Sequence, residues 1–157
     1  MKHATCILFV SLSFASTAMF AAPAPAPSDA LDKFVGNGTC TGSVVATGKN
    51  PGHATVGKYS GEKIMDGRWA EIRYDEDASA ANPKPFHVVQ YFGYDTAKKQ
   101  YVSVLIDNAE ESYSTGTSPG WKGDSITFDE SSDGKSVSYR DVFTSGASGR
   151  SSHTGWM

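Results

Sequence analysis

Cysteine, histidine, basic charge and helical periodicity are all scarce in this chain, and each scarcity removes a class of protein. Cys6 lies in the N-terminal segment, which leaves Cys40 alone in the rest. A lone cysteine in an oxidising compartment is either a small buried hydrophobe or half of a bridge whose partner is missing. His53, His87 and His153 are too far apart in sequence to write a local metal site. The 14 basic residues are outnumbered by 17 acidic ones, for a net charge of −3, which argues against nucleic-acid and anionic-membrane partners. No long segment repeats its apolar residues at helical spacing. That favours an all-β domain, with enough apolar and aromatic residue to bury a core.

Long apolar runs are scarce too. The run Ala4 to Phe20, behind Met1-Lys2-His3 and before Ala21-Ala22, reads as a secretory signal peptide, with cleavage after Ala21 preferred and Ala18 the alternative. It is short and rich in Ser, Thr and Ala, so no membrane span is expected after cleavage. The mature protein is expected in the periplasm or outside the cell. Residues 22–30 open with APAPAP, a stiff extended linker. One domain is expected over residues 31–157.

What the chain does have is strands. Phe86 to Asp107 reads FHVVQYFGYD, TAKKQ, YVSVLID, two β-branched and aromatic runs joined by a polar link, and this predicts a central antiparallel hairpin. Alternation puts Phe86, Val88, Gln90, Phe92 and Tyr94 on one face, and Asp95 suits the turn. Ser28 can cap a short helical turn through Phe34. Further strands are expected at Thr39–Thr47, Ala54–Met65, Arg68–Tyr74, Ser112–Thr117, Ser125–Asp129, Ser136–Thr144 and Ser151–Met157, with a tight Asp66-Gly67 turn between the second and third. Eight to ten short strands in sequential order predict an antiparallel up-and-down barrel, since closure hides sheet edges. The final run stops in mid-strand. One closing strand is therefore expected to be missing, and with it the partner of Cys40.

The string Gly93-Tyr94-Asp95, then Lys99-Gln100-Tyr101-Val102 and Asp107, resembles a bacterial group of secreted lipocalin-like proteins, as do Gly36, Gly38, Gly42 and the MDGRW turn at Gly67. That group is catalogued as a domain of unknown function. The resemblance covers roughly Leu31 to Met157 and implies a calycin-type barrel with an interior pocket. It departs at Thr39-Cys40, where the group carries a first-strand tryptophan, and it carries over no catalytic residues.

Motifs with chemistry fail on inspection. Gly116-Thr-Ser118-Pro-Gly120 matches a nucleophile elbow, but Pro119 has no N–H for the oxyanion hole. Asp129-x-Ser131-x-Asp133-Gly134 starts like a calcium loop and then has Arg140 where a glutamate is needed, so a hairpin turn is the reading. No catalytic residue, metal ligand or cofactor is expected. The leading expectation is a non-enzymatic binder of a small, largely apolar ligand, lined by Trp69, Gln90, Phe92, Tyr94 and Tyr139. The alternatives are a haem-binding or enzymatic barrel using His153 or His87, and a structural module with a filled core. Oligomeric state is not legible.

Overall fold

The computed structural model describes residues 27–46, 51–109, 113–146 and 151–156. The expected signal peptide, Cys6, the start of the linker and Met157 lie outside the described residues. The described chain opens with one helical turn, α1 (Pro27–Ala30), which tightens into a 3-10 turn over Leu31–Phe34. Helix formation begins one residue before the expected cap, at Pro27, whose ring fixes a backbone angle suited to a first helical position.

Nine strands follow: β1 (Gly36–Val44), β2 (His53–Ile64), β3 (Trp69–Glu76), β4 (His87–Asp95), β5 (Gln100–Asp107), β6 (Tyr113–Ser118), β7 (Ser125–Ser131), β8 (Tyr139–Ser145) and β9 (Ser151–Trp156). Each pairs antiparallel with its sequence neighbours, and the sheet curls through 297° into an open half-barrel. The expected up-and-down all-β architecture is what forms. It does not close among the described residues. Among the described residues β1 and β9 are the two edges of the sheet and do not pair with each other.

Local chemistry explains the hairpins. The carboxylate of Asp95 accepts the backbone N–H groups of Ala97 and Lys98 at 2.9 and 3.0 Å, which folds the β4–β5 turn as its sequence predicts. The β2–β3 connection is wider than the expected two-residue turn. Ile64 pairs with Trp69, leaving Met65 to Arg68 in the loop. Met65, Asp66 and Gly67 all take positive φ. Strand β1 starts at Gly36, three residues before the expected start, because the ladder to β2 continues to the Gly36–Gly61 pair. Gly61 is required there: a Cβ on it would collide with the Phe34 carbonyl as the N-terminal turn crosses the sheet.

That turn fills one end of the half-barrel. Leu31 and Phe34 are buried among Ala70, Ile72, Phe92, Tyr101, Ile126 and Phe128. The Phe34 ring stacks on Phe92 with centroids 4.1 Å apart, and Phe143 meets both rings edge-on. Each such buried ring stabilises the fold by about 1.5–3 kcal/mol through apolar burial alone. The hydroxyl of Tyr59 donates to the Phe34 carbonyl and pins the turn to β2.

Candidate functional site

Register decides which residues look inward. Ala70 pairs with Phe92, Phe92 with Ser103, Ser103 with Gly116 and Gly116 with Glu130, so these five share the concave face. Of the five residues expected to line a pocket, Gln90, Phe92, Tyr94 and Tyr139 fall on that face. Trp69 does not. It pairs with Gly93 on the convex face, and its indole lies so close over Gly93 that a Cβ there would meet ring carbons at 2.7 and 2.8 Å. Phe92 is fully buried beneath Phe34, and Tyr94 packs edge-on against Tyr101 beside the filled end. Gln90 and Tyr139 belong to the other half of the interior.

There the concave face is polar. Glu130 on β7 is completely buried, and Gln90, Ser103 and Asp141 are nearly so. Ser103 donates its hydroxyl to Oε1 of Glu130 at 2.5 Å. The amide nitrogen of Gln90 donates to that same oxygen at 3.3 Å and to Oδ2 of Asp141 at 3.4 Å, so one side chain ties the two carboxylates together. His153 meets Oδ1 of Asp141 at 2.9 Å while stacking on Phe143. Oε2 of Glu130 is buried without a hydrogen-bond partner among the described residues. Buried polar atoms are costly to leave unpaired, and among the described residues Trp121 Nε1 is the other such atom.

The electrostatics follow from that geometry. Burial pushes the Glu130 carboxyl up to about 7; the Ser103 bond opposes the rise, and the nearby Asp141 carboxylate adds to it. Burial likewise raises the Tyr139 hydroxyl well above its ordinary value, against a 2.8 Å bond to Ser114. Around this floor, Tyr74, Val88, Leu105 and Tyr139 are only partly buried. The filled end is therefore aromatic and the other end combines apolar walls with an acidic floor.

The histidines divide. His87 is exposed on the convex side, 2.9 Å from Asp75. His53 meets Glu76 at 3.2 Å, and Glu76 also accepts from Asn82 and the Phe86 backbone. Burial would raise the Glu76 carboxyl, but those bonds hold it below its ordinary value. Among the described residues no three His, Cys, Asp or Glu side chains are grouped to hold a metal ion. Asp133 accepts the backbone N–H groups of Lys135 and Ser136, as a hairpin turn does. Ser118 is buried and accepts the Gly120 N–H, so the elbow-like motif is a turn. Cys40 is free and sits, partly buried, on edge strand β1. Two surface clefts, of 230 and 460 Å³, lie away from the polar floor, along Arg73, His87 and Ile106 and along Thr39, Lys58 and Ser60.

Glu130, Asp141 and Ser103 went unselected in the sequence, though a signal for two of them was there. In SITFDES, Glu130 is in phase with Ile126 and Phe128, and in YRDVF, Asp141 is in phase with Tyr139 and Phe143. An acid in the apolar phase of a strand marks a buried charge.

Residues 25–147 match the model of a family described as "Protein of unknown function (DUF1579)", and the chain belongs to that family. No curated protein matches the chain.

Proposed function

We propose that this DUF1579 member is an exported, lipocalin-like binder of a small molecule, held in the unfilled end of the half-barrel and released unchanged. Export rests on the apolar run Ala4 to Phe20 followed by Ala21-Ala22. Binding rests on the division of the interior. The protein's own Leu31 and Phe34 occupy one end, while the other presents partly exposed Val88, Leu105 and Tyr139 over Gln90, Ser103, Glu130 and Asp141. Apolar walls with a few convergent polar groups are the usual make-up of a small-molecule site. The ligand such a surface takes has an apolar body and one polar end.

The single observation that carries this reading is the buried, unpartnered Oε2 of Glu130. A ligand donor supplies the bond that the protein does not. The test is native mass spectrometry of protein exported and purified without refolding. A bound organic molecule that leaves on denaturation supports the reading. Ligand-free protein that takes up nothing from a cell extract overturns it in favour of a filled structural module. A haem absorbance would move the assignment to a haem protein.

A further inference from the structure

We infer that the molecule held here presents a protonated amine to the Glu130–Asp141 pair. The inference rests on the binding reading above and adds the chemical class of the ligand.

Consider what faces these carboxylates from each neighbouring strand. Gln90 on β4 offers one amide nitrogen, which the two acids share at 3.3 and 3.4 Å. Ser103 on β5 gives its single proton to Oε1 of Glu130. Gly116 on β6 offers no side chain, and Ser114 on that strand is bonded to Tyr139 of β8. Among the described residues His153 on β9 is the one basic group in contact, and it lies on the Asp141 side with its side chain 53% exposed. Among the described residues, Lys63 and Lys33 pair with Asp32 and Asp124 at the filled end, and no Lys or Arg ion pair reaches Glu130 or Asp141. Among the described residues Glu130 therefore lacks two things: a donor for its Oε2 and a positive charge of its own, since His153 serves Asp141.

An ammonium group supplies both through one atom, with three N–H donors and a unit charge. A neutral hydroxyl supplies the donor only. A bare metal ion needs several ligands converging on it, and the described residues provide no group of three. The geometry thus selects an organic cation. Its docking requires Glu130 to be ionised, so affinity follows the titration of a carboxyl whose value burial pushes up to about 7. Asp141 and Tyr139 are the titratable groups beside Glu130, with His153 bonded to Asp141 and Asp107 acting on Tyr139 from β5, and Asp141 reinforces the demand for positive charge.

The experiment compares two probes of nearly equal shape, benzylamine and benzyl alcohol, by NMR titration of the purified full-length protein. The expected result is amine binding at least about tenfold tighter than alcohol at pH 8, a preference abolished by Glu130→Gln. A second expectation needs no variant: amine affinity of the unaltered protein falls about tenfold from pH 8 to pH 6 while that of the alcohol stays level. The inference is overturned if the amine binds no tighter than the alcohol, or if its advantage survives Glu130→Gln or does not change with pH. If the alcohol still binds in that case, the small-molecule reading stands without the amine. If neither probe binds and the protein also purifies ligand-free, both fall together.

Discussion

Ser103 and Glu130 are bonded across a strand that separates them. Ser103 lies on β5 and Glu130 on β7, and the residue between them on β6, Gly116, pairs with both. A Cβ at Gly116 would strike the Glu130 carboxyl and the Ser103 hydroxyl. The glycine is the gap through which the 2.5 Å bond passes.

Gly116→Ala is therefore expected to destabilise by about 1–3 kcal/mol, as overpacking does, and to break the bond. Ser103→Ala removes the same bond without a clash and is expected to cost about 1.5–3 kcal/mol when Glu130 is ionised. Urea unfolding midpoints at pH 8 check both. If Gly116→Ala is neutral, the close approach is not as described.

Stability should also depend on pH in a direction opposite to the usual carboxylate. The Glu130 carboxyl is raised on folding from 4.5 to about 7, so the folded state binds its proton more tightly than the unfolded one. The stability this contributes is full below about pH 4.5 and is lost as pH rises through about 7. The loss amounts to roughly 3 kcal/mol. Glu130→Gln should flatten the profile between pH 5 and 8 and be the more stable protein at pH 8. Glu76, lowered on folding, acts at the acid end instead, where stability falls as its carboxylate is protonated. Denaturant midpoints across the pH range measure both limbs.

On the convex face, Gly93→Ala should push the Trp69 indole off the sheet, because the added methyl would meet the ring at 2.7 Å. A cost of about 1–3 kcal/mol is expected. Trp69→Ala should remove most of that penalty, so a double-mutant cycle should show strong coupling. Additive effects would contradict the contact.

The N-terminal turn is a plug, and Phe34 is its largest side chain. Phe34→Ala is expected to cost about 3–5 kcal/mol and to leave Phe92, Trp121 and Phe143 without their shared partner. Stronger fluorescence of an added hydrophobic dye at low denaturant would report the opened aromatic end. An unchanged melting temperature would show that the turn is peripheral.

The strands were legible because alternation is local. FHVVQYFGYD and YVSVLID carry the period of two on their own, and Asp95 and Asp133 announce their turns through bonds that span two or three residues. Which face became the inside was not local. The two sides of RWAEIRY separate in the sequence, but only the Ala70–Phe92 pairing sends Trp69 outward. The up-and-down order expected from the strand spacing is what forms, while the extent of its curl, 297° with β1 and β9 unpaired among the described residues, is a property of the whole sheet. Glu130 and Asp141 stood in the apolar phase of their strands. Their meeting through Gln90 joins residues 40 and 51 positions apart, which no spacing reveals.

The central claim is the location of the ligand, and the most direct measurement is amide NMR of the ligand-free protein on adding back the molecule that co-purifies with it. The account predicts shifts concentrated at Val88, Gln90, Leu105, Ser114, Glu130 and Tyr139 on the concave face. Shifts confined to the convex residues Arg73, His87 and Ile106, or none at saturating ligand, would contradict it.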